Sequence, residues 1–246
     1  MAGTLLLLSL SHLLSLCPFP SLALSLCLSH VLMFGTTPCV VSCRLLSNRL
    51  DYVTYVPPSD EHLAGFTGYY TVPGSPEDTS GDEVLFYFIG TEDINQPSEI
   101  AILQPVLTWG NGLTGWSYAS WNCCPSGQHH ESTPFQGFGP GDELFGAITK
   151  SGNDWTVSSV YGAKNTSLTI MDSSRNFDWM DVTLETYNIE QCSQFAQGPM
   201  TFSNMKAWDT TGNAFDMQWA AATGTTMCQG TISVESSSEV TITHQQ

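Results

Sequence analysis

The chain has 246 residues, with 6 lysines and arginines against 23 aspartates and glutamates, and a formal net charge of −17. Phosphate groups are bound by clustered basic side chains, so the composition argues against a nucleic-acid partner. Only 12% of the residues are charged, which, with plentiful Gly, Ser, Thr and Asn, is typical of a secreted β-protein. So acidic a chain repels itself less once its carboxylates are protonated, which suits an acidic compartment.

The N-terminal segment is set apart by its composition. Residues 5–34 are apolar and uncharged, and Pro18 and Pro20 divide them into two blocks, each about the length of a signal-peptide core. A membrane anchor is an alternative, since about 20 apolar residues span a bilayer, although the prolines interrupt the run; an incorrect start site is another. We expect residues 1–50 to be a leader outside the fold, and residues 51–246 to form one secreted domain that meets a membrane only if the leader is uncleaved.

The remaining sequence predicts short strands separated by turn signals, and no segment shows the 3.6-residue periodicity of a helix. This spacing predicts an all-β fold, an antiparallel β-sandwich or jelly roll. In chain order, the predicted strands are 66–72, 83–90, 100–109, 115–121, 142–149, 154–162, 166–171, 179–189, 200–208 and 231–243.

A glutamine interrupts an apolar strand face in residues 100–109. In that strand Ile100, Ile102, Gln104, Val106 and Thr108 share one face, because side chains alternate along a strand. An unpaired buried amide costs roughly 2–7 kcal/mol. Gln104 is therefore either a structural amide bonded across the sheet or part of a functional site.

A glutamate occupies a similar position in residues 181–189. Asp181, Thr183, Glu185, Tyr187 and Ile189 share one face of that predicted strand. A carboxyl group desolvated among bulky neighbours tends to have a raised pKa, which suits it to general acid–base catalysis. The alternative is that Glu185 lies on a solvent-exposed face beside an exposed tyrosine.

The cysteines of the predicted domain are even in number: Cys123, Cys124, Cys192 and Cys228. This favours disulfides in an oxidising compartment, with at least one long-range bridge, since adjacent Cys123 and Cys124 are awkward partners. His129 and His130 follow closely, but adjacent ligands are unusual for zinc, so we expect no metal. Asn165 begins an N-glycosylation sequon.

Several motifs occur in the order typical of the glutamic peptidases, the acid-active eqolisins or peptidase family G1. The sequence from Tyr70 resembles that family's Trp-Thr-Val-Pro, and the residues around Gln104 match its Ala-Ile-Leu-Gln. Glu185 resembles the first glutamate of its Glu-x-x-x-Glu strand. The matching segments are Tyr70–Pro73, Ala101–Gln104, Tyr118–Trp121, Gly141–Asp142, Leu184–Glu190 and Phe202–Asn204.

The resemblance implies a concanavalin A-like sandwich and a secreted endopeptidase that cleaves polypeptides in acid without a cofactor. Gln104 and Glu185 would form the catalytic dyad. Glu185 would activate a water molecule, and Gln104 would orient it and stabilise the oxyanion. The family's acidic group after the second strand would be Glu92 or Asp93, and we expect a monomer. The aromatic residues expected to shape the substrate subsites are Tyr70, Trp116, Tyr118 and Trp121.

A carbohydrate-binding module or a glycosidase on the same sandwich is the main alternative. Exposed tryptophans and tyrosines also stack on sugars. A glycosidase needs two carboxyl groups about 5–9.5 Å apart, which Glu185 with Glu92 or Asp93 would supply. The Gly-x-Ser-x-Gly motif of serine hydrolases is missing from the sequence.

Overall fold

The computed structural model describes residues 49–95, 101–171, 173–223 and 227–246. These residues belong to one compact unit, Val41–Gln246. Most of the predicted leader lies outside the described residues, as does Ile100. No helix in the described ranges is long and apolar enough to cross a membrane.

Strands dominate the described chain, as its alternating sequence predicts. They are β1 (Arg49–Tyr55), β2 (Leu63–Thr71), β3 (Val84–Glu92), β4 (Ile102–Trp109), β5 (Trp116–Cys123), β6 (His129–Glu131), β7 (Glu143–Ser151), β8 (Asp154–Tyr161), β9 (Lys164–Ile170), β10 (Trp179–Tyr187), β11 (Met200–Asp209), β12 (Ala220–Thr223), β13 (Thr231–Ser236) and β14 (Glu239–Thr243).

The strands form two seven-stranded antiparallel sheets. Sheet A has the order β12-β1-β10-β3-β4-β5-β6, and sheet B has the order β13-β14-β11-β2-β7-β8-β9. The predicted all-β sandwich is confirmed. Strands β1, β6 and β12 were not predicted, and the segment 231–243 is a hairpin rather than one strand. Its turn at Ser237 and Ser238 carries no Gly, Pro or Asn to mark it.

The main core lies between the sheets and is built by alternate residues of each strand. In sheet A it includes Leu103 and Leu107 of β4 and Val182 and Leu184 of β10. The other side of sheet A, here called its outer face, carries a second apolar cluster: Phe86, Phe88, Val106, Ala119 and Trp121. Strand β4 is therefore buried on both faces.

A proline in the centre of sheet A is accommodated by a tyrosine of sheet B. Pro105 of β4 has no N–H to donate to the ladder. The Tyr70 hydroxyl donates to the Pro105 carbonyl at 2.7 Å and accepts from the Ile89 N–H at 2.9 Å, which joins β3 and β4 at this point. Burial raises the pKa of Tyr70 far above its usual value, so the hydroxyl remains a donor.

Gly146 of β7 provides the space for this arrangement. A Cβ atom at Gly146 would lie 2.6 Å from Pro105 Cγ, 2.8 Å from the Tyr118 hydroxyl and 2.9 Å from Tyr70 Cε2. These distances are shorter than van der Waals contact, so the packing of the two tyrosines on Pro105 requires glycine here.

The C-terminal segment after β14 is held against sheet A by a buried contact between His244 and Asp51. His244 Nε2 lies 2.8 Å from Asp51 Oδ2, and both side chains are almost fully buried. The His244 ring also stacks on Phe195 with centroids 4.0 Å apart. A disulfide between Cys192 and Cys228 closes the same region.

Replacing Tyr70 by phenylalanine tests the bridge between β3 and β4. The variant leaves the buried Ile89 N–H without its acceptor, which costs about 1–3 kcal/mol. We expect Tyr70→Phe to lower the free energy of unfolding in urea by that amount. Tyr69→Phe is the matched control, since Tyr69 is adjacent in sequence but exposed. Equal effects of the two substitutions would contradict this role for Tyr70.

Asp209, at the end of β11, predicts a pH dependence of stability. Burial opposes ionisation, but hydrogen bonds from Thr211 and Asn213 outweigh it and lower the pKa of Asp209 to about 2. Because an unfolded aspartate has a pKa of about 3.9, the stabilisation is complete above about pH 4 and is lost as the pH falls through about 2.

Asp209→Asn is therefore expected to lower the melting temperature at pH 5–7, by a difference that disappears near pH 2. The measurement is thermal unfolding of both proteins across this range. Asp60→Asn, which changes an exposed turn residue, serves as the charge-matched control. A difference that persists unchanged at pH 2 would contradict the assignment to the Asp209 charge.

Candidate active site

Gln104 lies at the centre of the outer face of sheet A. It is 3% exposed and pairs with Trp121 of β5. Its side-chain oxygen Oε1 is buried and has no hydrogen-bond partner among the described residues. A structural amide would be paired across the sheet, so the orphaned oxygen favours a functional role.

The strand register shows which residues share a row with Gln104. Phe88 lies opposite Val106 and Thr91 opposite Leu103, so Gly90 lies opposite Gln104. Gly90 also pairs with Asp181 on the other side of β3. The Gln104 row, as we use the term, consists of Asp181, Gly90, Gln104 and Trp121, which face outward on four neighbouring strands.

Glycine at position 90 makes room for the carboxylate in this row. A Cβ atom at Gly90 would lie 2.1 Å from Asp181 Oδ1, so the Asp181 side chain lies over β3, on the side towards Gln104. Two strand spacings of about 4.8 Å separate the backbones of Asp181 and Gln104. Asp181 is fully buried, and its Oδ2 accepts a hydrogen bond from the Thr183 hydroxyl at 2.5 Å.

Glu185, the predicted partner of Gln104, lies on another row. It pairs with Phe86, which in turn pairs with Thr108. It lies four positions after Asp181 in β10, or about 13 Å along the strand. Glu185 is half-buried, and it accepts a hydrogen bond from the Tyr187 hydroxyl at 3.4 Å.

The structure thus brings Gln104 together with Asp181 and not with Glu185. Strand alternation places Asp181 on the correct face of its strand but indicates no role for it. The signal that could have found it is the spacing Asp181-x-x-x-Glu185, which matches an acidic pair separated by three residues once aspartate is allowed in first place.

The two predicted acidic residues after β3 are both buried. Glu92 faces outward two residues beyond Gly90, about 7 Å along the strand, and is 3% exposed. Asp93 lies 3.8 Å from the Arg175 guanidinium and accepts a hydrogen bond from the Asn95 N–H. Of the two, Glu92 is on the same face as Gln104.

The aromatic residues predicted to shape subsites divide between the two faces. Tyr70, Trp116 and Tyr118 are buried in the core between the sheets, away from the outer face that carries Gln104. The reason is strand alternation: residues three apart, such as Tyr118 and Trp121, face opposite sides. Trp121 lies on the outer face, stacked on His129 with centroids 5.5 Å apart.

A cavity of about 190 Å³ extends from Trp121 along β5. Its walls include Thr108 and Ser117, which share the row of Glu185, and Leu113 of the loop between β4 and β5. The cavity begins beside the Gln104 row, and its mixture of polar and apolar groups would fit an extended chain lying on the sheet.

The remaining predicted positions lie away from the Gln104 row or at its edge. The structure joins Cys192 to Cys228 and also Cys123 to Cys124, a pairing that the sequence argument considered awkward. His129 and His130 are exposed on β6. Asn165 is exposed on β9 of sheet B, where a glycan would be accessible.

Comparison with solved structures identifies the architecture. Scytalido-glutamic peptidase, in complex with a peptide-based transition-state analogue, superposes with a TM-score of 0.56 and 14% identity over 80% of this chain and 98% of its own. SCP-B, a member of the eqolisin family of peptidases, in a complex with the tripeptide Ala-Ile-His, gives 0.53 and 13% over the same shares. The protein has the glutamic-peptidase fold.

Sequence comparison alone does not detect this relationship. No protein-family model matches the chain, and no curated protein matches it significantly. The glutamic-peptidase fold is thus present with a sequence only 13–14% identical to those of the solved structures.

Gly90→Ala tests the packing of the carboxylate in the Gln104 row. The added Cβ would displace Asp181, and overpacking of this kind costs about 1–3 kcal/mol. We expect a loss of that size in the free energy of unfolding, measured in urea. Gly139→Ala is the control, since a Cβ there meets no atom within 4 Å. Unchanged stability of Gly90→Ala would show that Asp181 does not lie over Gly90.

Proposed function

We propose that this protein is an endopeptidase whose catalytic pair is Gln104 and Asp181. The observation that carries the proposal is the Gln104 row, in which a buried carboxylate and a buried amide face each other across a glycine. The fold, which is that of peptidases crystallised with peptide-like ligands, supports a polypeptide as the substrate.

In the proposed reaction, a water molecule between the two side chains attacks the carbonyl carbon of the scissile peptide. The Asp181 carboxylate accepts a proton from the water as its oxygen bonds to carbon. The Gln104 N–H donates to the resulting oxyanion, a contribution of about 3–4 kcal/mol. When the tetrahedral intermediate collapses, the C–N bond breaks and Asp181 returns the proton to the leaving amine.

An acidic working pH and secretion are parts of the same proposal. The excess of acidic over basic residues favours a protein that is compact when its carboxylates are partly protonated. The Cys192–Cys228 bridge suits an oxidising compartment. We further propose that the protein works as a monomer without a cofactor.

Glu185 remains a predicted catalytic residue, and the activity assay described below tests it together with Asp181. Asp181 and Glu185 are on one face of one strand, four residues apart. Asp181→Asn and Glu185→Gln therefore make the same chemical change, the loss of one ionisable oxygen, at two points of the outer face.

The experiment is hydrolysis of an unfolded protein between pH 2 and 7, by the native protein and the variants Gln104→Ala, Asp181→Asn and Glu185→Gln. We expect activity confined to acid. Gln104→Ala should reduce kcat by about 10²–10³ and Asp181→Asn by about 10²–10⁴, while Glu185→Gln changes it by no more than a few-fold. Circular dichroism verifies that each variant is folded.

The alternatives give different results. If Glu185→Gln loses activity while Asp181→Asn remains active, the catalytic pair is Gln104 and Glu185. If the folded native protein cleaves no polypeptide at any pH but hydrolyses a polysaccharide, the proposed peptidase function is wrong and the protein is a glycosidase.

A further inference from the structure

A second cavity, of about 500 Å³, opens at the end of sheet A beyond the Glu185 row. It lies between the segment that precedes β3 and the loop that joins β4 to β5. Gly110 in that loop has a φ of +79°, and a Cβ there would lie 2.3 Å from the Glu83 carbonyl oxygen. Glycine therefore allows the loop to approach Glu83 and to form the cavity wall.

A buried carboxylate forms part of this cavity. Glu83 is 4% exposed, and its Oε1 accepts a long hydrogen bond of 3.4 Å from the Trp109 indole N–H. Its Oε2 is buried and has no hydrogen-bond partner among the described residues. A Cβ at Gly81, which also lines the cavity, would lie 2.9 Å from this oxygen. A buried carboxylate is costly unless a cation or donor accompanies it.

The lysine and arginine side chains that the structure describes lie elsewhere. None of them lines this cavity. Lys150 lies over the Trp155 ring, Lys164 donates to the Gln136 carbonyl, Arg175 lies beside Asp93, and Lys206 lines a cavity on sheet B. Among the described side chains, no lysine or arginine lines the cavity beside Glu83, which leaves a ligand as a source of the cation.

The cavity walls favour an organic cation over a metal ion. Val84, Trp109 and Leu113 present apolar groups beside Glu83, and Asp82 adds an exposed carboxylate at the rim. A lysine or arginine side chain matches this combination, because its methylenes pack on apolar surface while its head group meets a carboxylate. Within the described ranges, no three His, Cys, Asp or Glu residues are grouped as metal ligands.

The cavity adjoins the smaller one that begins beside the proposed catalytic pair. Asn111 and Leu113 line both this cavity and the one that begins at Trp121. Along β3, Val84 is six residues from Gly90, or about 20 Å. An extended polypeptide covers that distance in about six residues, since it advances about 3.3 Å per residue.

We propose that the Glu83 cavity binds a lysine or arginine side chain of the polypeptide substrate, about six residues from the bond that is cleaved. The inference depends on the proposed function for the identity of the ligand, although cation binding itself does not require catalysis. It makes Glu83 a specificity-determining residue remote from the Gln104 row.

The test measures binding of a probe that contains no bond to be cleaved. Nα-acetyl-lysine amide and Nα-acetyl-norleucine amide differ only in the terminal ammonium group. We expect the lysine amide to bind at least tenfold more tightly at neutral pH, with a shift of the Trp109 indole N–H resonance by NMR, and its affinity to fall as salt rises. Glu83→Gln should reduce the difference between the probes at least tenfold. Glu143→Gln, an acid on sheet B, should not alter it.

Equal binding of the two probes by the native protein would overturn the proposal, whatever the stability of the variant. A Trp109 shift with calcium chloride but not with the lysine amide would also overturn it, in favour of a metal site. In a second assay, peptides with lysine or norleucine six residues from the cleaved bond should differ about tenfold in kcat/KM. Probe binding without any peptide cleavage would reject the proposed function and leave the cation site standing.

Discussion

The Tyr70 hydroxyl between β3 and β4 is the contact on which the rest of the outer face depends. It donates to the Pro105 carbonyl and accepts from the Ile89 N–H, and so links a residue of sheet B to two strands of sheet A beside the N–H that Pro105 lacks. The next pair along the same two strands is Gly90 and Gln104. A group fully buried on the other side of the sheet thus holds together the two strands that carry Gly90 and Gln104.

Two glycines allow the Tyr70 contact and the neighbouring Gln104 row to form. At each of them, a side chain of another residue occupies the space that a Cβ atom would need. Gly146 leaves room for Tyr70, Tyr118 and Pro105, and Gly90 leaves room for the Asp181 carboxylate. Next to this row, the outer face of sheet A carries large apolar residues such as Phe88 and Val106. A buried carboxylate and a buried amide in these surroundings are desolvated and fixed in place, which is the condition under which such groups act strongly on a bound reactant.

The sequence predicts the sandwich because alternation and turn residues are local properties. Gln104 is conspicuous for the same reason, as one polar residue on an apolar face. Alternation assigns a side chain to a face but does not give the register between strands. Alternation places Asp181 and Glu185 on the same face and does not distinguish them. Only the pairing of β10 with β3 and of β3 with β4 shows which of the two lies in the row of Gln104.

Local sequence patterns also explain why some aromatic residues lie on an unexpected face and why some strands are not predicted. Tyr118 and Trp121 belong to one sequence motif yet lie on opposite faces, because three residues is an odd step along a strand. Strands β6 and β12 are three and four residues long, which is too short for a recognisable alternation. The buried carboxylate of Glu83 has no sequence signal, since it precedes an ordinary strand in an acidic stretch.

The most direct test of the proposed catalytic role of the Gln104 row is a crystal structure with a peptide in which a secondary alcohol replaces the scissile amide. The account predicts that the hydroxyl lies within hydrogen-bond distance, about 2.5–3.2 Å, of both the Gln104 side chain and the Asp181 carboxylate. A hydroxyl bonded to Glu185, with Gln104 and Asp181 making no contact to the peptide, would contradict it.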